Sequence, residues 1–426
     1  MKKILLISLL SFFSLSAALA TDFSGDLLSR PHRVFEIGFD SDTTIANNLL
    51  SLEKILTKNV EVDLQTVSDH LTDSGLIFAL HEKDKFFIDL NVSSRFRFSF
   101  FTDVESSLRF NIPKSLFDIL DSGLMVGESK DFDMKIYGDV FYDLGFSFQT
   151  IISGYGVKLT PTYFIPLFYV PKTTGTATFI TDQSGMILGS AEAHVDIYTI
   201  INMQDSVENK KSPEIEVGEL ISKGGFDFSV EVERNWMHGL NAGFYTRIPL
   251  KPGSLDYKMS TMAWAYFYES NPLGYLNKTE FHETKHGYAK PSTYATENEE
   301  EGFDYSEDTY KAYRPLKFGL NATYMPWGQW FKIQPALGFA VRNPYTSDAE
   351  FYMEYALDLN FSFLRRFLNV NFGTAYQNQI FQHSFGLGLN IRALEFISKL
   401  SMCGTSFLST FHTSGYGIFV GFRMGF

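Results

Sequence analysis

Two clusters bring chemically reactive side chains close together in this sequence. The first is His282-Glu283-Thr284-Lys285-His286, two histidines four residues apart around a glutamate. On a helix both imidazoles would share a face, the spacing by which a divalent metal and a general base are held together. The surrounding residues are polar and without apolar period, so the segment reads as a solvated loop, which does not fix two imidazoles. The second is His383-Ser384. A serine nucleophile needs the imidazole within hydrogen-bond reach, yet neighbours in a strand point to opposite faces. The chain has no G-x-S-x-G element and no phosphate-binding loop, and its single cysteine, Cys403, cannot form a cysteine metal cluster. Nothing here points to catalysis, to a cofactor or to a metal. The expectation is a protein that is not an enzyme.

The residues that do carry information sit at the C-terminus. Tyr416, Ile418, Val420, Phe422, Met424 and Phe426 share one face of a strand; Gly417, Phe419, Gly421, Arg423 and Gly425 share the other. Val420, Phe422, Met424 and Phe426 have the form of a barrel-insertion signal, although Phe419 departs from it because a polar residue is commoner on that face. The same period recurs at Leu316–Tyr324, Phe331–Val341, Phe351–Phe361, Leu368–Phe372, Phe381–Ile391 and Leu394–Met402. Further strand candidates lie at 139–151, 154–169, 175–183, 186–201, 224–234, 238–249 and 255–269. That gives 14 strands, or 16 if Phe86–Phe101 and Ser106–Ile112 are added. Many exceed the usual 5 or 6 residues of globular strands and the 9 to 11 needed for a tilted membrane span.

Composition agrees. The chain has 43 Phe and 22 Tyr but a mean hydropathy of −0.06. Apolar residues are therefore abundant but interleaved with small or polar ones (Asn369, Asn371, Gly373, Gly386, Gly388, Asn390), as suits a wet lumen. Tyr324, Trp327 and Trp330 gather at strand ends, where headgroup girdles lie. The formal net charge of −13 excludes a nucleic-acid partner.

Residues 1–20 read as a signal peptide: Lys2 and Lys3, an apolar run from Ile4 to Phe13, and Ala18-Leu19-Ala20 ahead of the cut. Cleavage after Ala20 would deliver the chain to a Gram-negative-type cell outer membrane. Residues 21–80 form an N-terminal helical plug or periplasmic segment, with apolar residues at helical spacing over Ile45–Leu56 and Val60–Leu71. A short helix is expected at Pro113–Leu120, and the barrel occupies 81–426. With Phe426 in the periplasm, the turns near Leu364–Arg366, Pro326–Gln329 and Pro249–Ser254 fall on the periplasmic side, and the acidic loop 271–309 outside. Asn202–Lys223 is then a long periplasmic connection, against the trend. Gly154, Gly156 and Pro161, close to Pro166, mark a candidate kink in the wall.

The layout of signal peptide, helical segment, about fourteen strands and terminal Phe resembles the long-chain fatty acid transporter (FadL-like) group of outer-membrane β-barrels. The Asn-Pro-Ala element of that group is absent, Ala46-Asn47-Asn48 being the nearest match, so no ligand residues are transferred. The resemblance implies an all-β transmembrane antiparallel barrel for passive uptake of hydrophobic small molecules such as long-chain fatty acids. Its partners would be outer-membrane lipid, the barrel-assembly machinery and the apolar ligand. A general diffusion porin is the alternative, disfavoured by aromatics on both faces at Phe100-Phe101 and Phe141-Tyr142. A non-transporting surface or adhesin-type barrel acting through the acidic loop is a third reading.

Overall fold

The computed structural model describes residues 33–48, 75–115, 117–118, 129–181, 187–204, 217–269 and 304–426, except 94, 348 and 413, together with 27, 28, 71, 283, 284, 287 and 288. The expected signal peptide, most of the helices expected within Ile45–Leu71, and nearly all of the acidic loop lie outside the described residues.

Strands dominate. In chain order they are β1 (Phe35–Asn47), β2 (Leu76–Asn91), β3 (Phe96–Ile112), β4 (Ser129–Ile152), β5 (Tyr155–Thr181), β6 (Ile187–Thr199), β7 (Gly225–Met237), β8 (Leu240–Lys251), β9 (Gly253–Glu269), β10 (Glu283–Thr284), β11 (Gly287–Tyr288), β12 (Asp304–Ala312), β13 (Leu316–Tyr324), β14 (Phe331–Arg342), β15 (Glu350–Phe363), β16 (Leu368–Gln377), β17 (Ile380–Asn390), β18 (Leu394–Gly404) and β19 (Gly415–Gly425). Fourteen of them close an antiparallel ring: β1 to β5, then β7, β8, and β13 to β19. The seam is β19 on β1, in unbroken register from Ala46↔Gly415 to Glu36↔Gly425. Phe426 secures its end: its carbonyl accepts from Val34 N–H at 2.6 Å, and its N–H donates to Phe35 O at 3.1 Å.

Alternation sorts the side chains. On β19, Tyr416, Ile418, Phe422, Met424 and Phe426 are exposed on the outside, while Phe419 is buried within. Exposed Phe39, Phe86, Phe100, Phe244, Leu337, Phe372 and Phe385 continue the oily exterior. Trp327 and Trp330 stack on each other at 5.2 Å beside the β13–β14 turn, both exposed, as a girdle requires.

The remaining long strands form a second layer of pairing. β5 pairs with β7 through Phe164, then with β6 from Phe168 onward. β6 continues to β9, and β9 to β12. Pro166 sits at this fork, opposite Phe141, where the β4–β5 register shifts. A proline is tolerated there because a strand changing partners has no ladder bond to lose.

This fork corrects the sequence reading at several points. The segments 154–169 and 175–183 are one strand, β5, and 186–201 and 255–269 are β6 and β9, outside the ring; β1, β2 and β3 complete the fourteen instead. Wall strands therefore begin at Phe35, not at residue 81, and Ile45 belongs to β1 rather than to a helix. Phe86–Phe101 is not one strand but the end of β2 and the start of β3 around a turn. Pro249–Ser254 and the described ends of the 202–223 connection lie at the end remote from Phe426, since β8 pairs with β13 and not with β9. With that repaired, the connections at the Phe426 end are the short ones, and the long connections all lie at the far end. Pro113 does precede helical residues, at Lys114, Ser115, Phe117 and Asp118.

The candidate kink also changes meaning. Ser153 and Gly154 have φ of 51° and 82° and make the tight β4–β5 turn, the conformation for which glycine is suited. Pro161 lies in regular register opposite Phe228, and the irregularity is displaced to Pro166.

Inward aromatics lie against glycines. A Cβ on Gly145 would come within 1.9 Å of the Phe101 ring, and one on Gly38 within 2.2 Å of Phe87. The rings thus cover neighbouring strands instead of filling the lumen. Gly145→Leu should push Phe101 off the wall and cost about 1–3 kcal/mol of stability. This is measurable as a lower temperature for loss of the compact, heat-modifiable gel band; an unchanged transition would show that the contact is unimportant.

Candidate functional site: the lumen and its two closures

Inside the ring is a cavity of about 770 Å³. Acidic and basic side chains line it in equal number, interleaved with Ser, Thr, Asn and Gln. Lys83, Lys85 and Asp89 reach it from β2, Arg97 and Asp103 from β3, Lys399 and Arg423 from the closing side. Each follows from strand alternation: the residues between the lipid-facing Phe and Leu positions point inward. Several cations rest on the inward aromatics, Lys85 over Phe101 at 4.3 Å and Arg423 over Phe87 at 5.7 Å. Aromatics on both faces therefore do not make this lumen apolar, which removes the sequence argument against a charged interior.

The far end is shut by ion pairs that cross the ring. Arg314, in the link between β12 and β13, is buried and meets Asp143 on β4, Glu105 on β3 at 3.0 Å and Asp227 on β7 at 4.0 Å. Its guanidinium also faces the Phe141 ring at 4.9 Å. Arg342, ending β14, reaches Asp139 of β4 at 3.9 Å and covers the Tyr137 ring at 4.2 Å. Next to it Tyr169 donates to Asn343. The space left among Tyr137, Asp139, Tyr169 and Arg342 is about 10 Å³, room for roughly one water. On the other side of the mouth Arg109 donates to Gln379, and Gln382 to Thr44 at 3.2 Å.

An apolar cluster seals the cap above these pairs. Phe141 and Phe164 meet edge to face at 5.7 Å, and Tyr169, Tyr198, Ile200, Leu255 and Ala312 bury against them. Tyr310 of β12 stacks on Tyr169 at 5.0 Å and packs on Tyr198 at 4.7 Å, so the β6–β9–β12 sheet is bound to the β4–β5 wall. Along that sheet Lys258 pairs with Asp196 at 2.9 Å; this hydrogen bond raises the lysine above its ordinary pKa.

At the Phe426 end described residues of the N-terminal segment contact two sides of the opening. Leu27 N–H donates to Glu233 of β7, and its carbonyl accepts from Gln149 of β4 at 2.7 Å. Gly156 leaves room for this contact, since a Cβ there would come within 2.9 Å of Leu27. Arg33 is tied to the other side, to Glu36, to Glu395 at 3.5 Å and to the Arg392 carbonyl at 2.7 Å. These residues precede β1 and belong to the segment expected to be a plug; its described members Leu27, Leu28, Arg33 and Val34 are turn, bend and irregular chain instead of helix.

Of the residues singled out in the sequence, Val420, Phe422, Met424 and Phe426 share the outer face of the closing strand. His383 and Ser384 do point apart. His383 faces outward, its ring stacked on Phe411 at 4.8 Å, and Ser384 is buried inside. His282 and His286 lie outside the described residues, among which no metal-binding group of carboxylates, histidines and cysteine occurs. Arg314, Asp143, Arg342 and Asp139 were missed. Arg314 belongs to no strand, and its partners are 87 or more positions away in sequence with no local pattern to reveal them.

Arg314→Met leaves Glu105, Asp143 and Asp227 buried around a lost cation and should cost about 3–5 kcal/mol. Adding Asp143→Asn should recover part of that loss in the same thermal-unfolding assay; no difference between Arg314→Met and the parent protein would mean that the cluster is hydrated and relaxed.

No family model and no curated relative matches this chain. Solved structures that are similar to it include FadL-type outer-membrane barrels. The toluene transporter TbuX of Ralstonia pickettii is 8% identical, with 94% of this chain and 93% of that chain covered and a TM-score of 0.44. A FadL homologue of Pseudomonas aeruginosa is 8% identical, with 96% and 93% covered and a TM-score of 0.42. The translocator domain of the autotransporter NalP of Neisseria meningitidis is 6% identical, with 94% and 91% covered and a TM-score of 0.36.

Proposed function

We propose that this barrel is a passive outer-membrane transport protein whose lumen carries small polar or zwitterionic solutes and is held closed at its outer end. The observation that supports this reading is the lining of the 770 Å³ cavity, where acids and bases occur in equal number. An apolar molecule gains about 25 cal/mol per Å² only by leaving water for apolar surface, and in this cavity apolar surface is interleaved with charges of both signs. A solute with its own donors and acceptors exchanges water for fixed partners of both signs. In the same reading the exported chain is cleaved after Ala20, Val420, Phe422, Met424 and Phe426 are recognised by the barrel-assembly machinery, and the outer face meets outer-membrane lipid.

Uptake of hydrophobic molecules such as long-chain fatty acids is a second reading. What favours it is the aromatic cluster buried in the cap, where Phe141, Phe164, Tyr169 and Tyr198 would give a hydrophobic molecule an apolar path once the cap opens. A surface role for the acidic loop rests on residues outside the described ones.

Planar-bilayer recordings separate the two transport readings. The parent protein should conduct weakly, because the far mouth is packed. Arg314→Ser combined with Asp143→Ser removes one cation and one anion together and should raise steady ion conductance through the same lumen. Weak conductance in both proteins, with saturable uptake of a long-chain fatty acid into vesicles, would instead support the hydrophobic route.

A further inference from the structure

The lumen wall is not uniform around the ring. Each ring strand from β1 to β8 sets at least one charged side chain in the cavity lining, among them Asp40, Lys85, Asp103, Asp143 and Lys158. Among the described residues β16 and β17 set none, while β14 and β15 contribute one each, Lys332 and Asp358. In place of charge stand primary amides, a hydroxyl and glycine. Register fixes their arrangement: Asn360 of β15 lies opposite Asn371 of β16, which lies opposite Gly386 of β17. One step toward the Phe426 end, Ser362, Asn369 and Gly388 repeat it.

These groups hold one another in place. Asn371 Nδ2 donates to Asn360 Oδ1 at 2.6 Å, Asn360 Nδ2 to Gln334 Oε1 at 2.8 Å, and Gln334 Nε2 to Thr323 Oγ1 at 3.4 Å. Ser362 donates to Asn369 Oδ1 at 2.8 Å, and Asn369 Nδ2 to the Arg366 carbonyl at 3.4 Å. A primary amide has two donor hydrogens and an oxygen with two lone pairs. Gln334, Asn360 and Asn369 each commit one of each kind to these neighbours and retain the other. All three are half-buried and line the cavity, so what they retain is within reach of a solute. The glycines keep that reach open. A Cβ on Gly388 would stand 3.3 Å from the Asn369 Cβ, and one on Gly386 3.4 Å from that of Asn371, so a longer side chain at either position would cover the amides.

We propose that this amide strip on β14–β17 is a binding subsite for a neutral polyhydroxylated solute, a mono- or disaccharide. The proposal rests on the reading of the lumen as a path for polar solutes and names one class among them. A sugar hydroxyl both donates and accepts, and each amide does the same. The charged wall matches it less well, because an ammonium only donates and a carboxylate only accepts. A zwitterion gains most on that wall, where β1 to β8 offer both signs, and least on the strip. The amides are ordered by one another before any solute arrives, so little side-chain freedom is lost on binding. The cavity, at 770 Å³, falls within the range of about 300–1,000 Å³ that holds small ligands.

Saturation-transfer NMR on the full-length barrel, in a polyoxyethylene detergent that carries no sugar, tests this. Glucose and maltose are the probes, and glycylglycine is the zwitterion of comparable size. The sugars should bind saturably to the parent protein. Asn360→Ala combined with Asn369→Ala should weaken that binding on the order of tenfold through the loss of two hydrogen-bonding groups. Gly388→Leu removes no amide and should weaken it comparably by covering Asn369. The heat-modifiable gel band reports that each variant has folded. Unchanged sugar binding in the folded variants would place the sugars elsewhere and overturn the proposal. Binding of glycylglycine without binding of either sugar would overturn it while leaving the polar-lumen reading in place. If no polar solute binds, the two fall together.

Discussion

In hydrocarbon there is no water to satisfy a backbone amide, so every peptide group in the wall must find its partner in another strand. That constraint makes the seam between β19 and β1 the contact on which the fold depends. Each of the other wall strands could pair with its sequence neighbour or across one insertion, but the ring exists only when the last strand meets the first. The register of eleven pairs there, capped by the Val34–Phe426 and Phe35–Phe426 hydrogen bonds, leaves no open edge. Phe426 thereby occupies the point at which the circle is complete.

Once the wall is closed, alternation divides side chains between two solvents. The lipid side accepts Phe, Leu and Ile with little further specification. The inner side must satisfy charges at close quarters, and it does so by bridging across the ring instead of along a strand. Arg342 on β14 and Asp139 on β4 join strands separated by β5, β7, β8 and β13, and Arg314 beside β13 reaches Asp143 across a similar arc. Buried pairs of this kind add little net stability over apolar packing, since desolvation offsets their attraction, but an unpaired member is strongly destabilising. Their effect is to fix which parts of the two walls meet, and so to set a shut mouth above a hydrated cavity.

This division explains what could be read from the sequence. The strands from β13 to β19 announce themselves through outward apolar series, and their boundaries were legible within a few residues. β1 was not, because Ser41 and Thr43 break its outward series, and Ile45 falls into helical spacing with Leu49 and Leu52. The very residues that interrupt the belt hid the strand that carries them. β6 and β9 posed the opposite difficulty. A sheet leaning on a wall also needs one apolar face, so its period matches that of a wall strand, and ring membership depends on partners that a single strand's pattern does not encode. The count of fourteen therefore came out right with a different set of members.

The fork at Pro166 shows why the lumen was harder still to read. β5 begins as a wall strand against β7 and ends in the layer with β6, so one continuous extended segment serves two environments. Its inward face lines the cavity with Lys158, Thr160 and Thr162 before the fork; beyond it Tyr169 packs into the aromatic cap. The polar and apolar regions of the interior are thus stacked along a single strand, the first a hydrated compartment and the second its seal. Under the transport function proposed above, a solute crossing this barrel would meet them in sequence. Charge on the lumen wall governs what can remain in the cavity, while the packing of Tyr169, Tyr198 and Tyr310 against Phe141 and Phe164 governs whether the cavity is reached from outside. In that reading selectivity and access are held by different residues, and either can change without rebuilding the hydrogen-bonded ring that supports both.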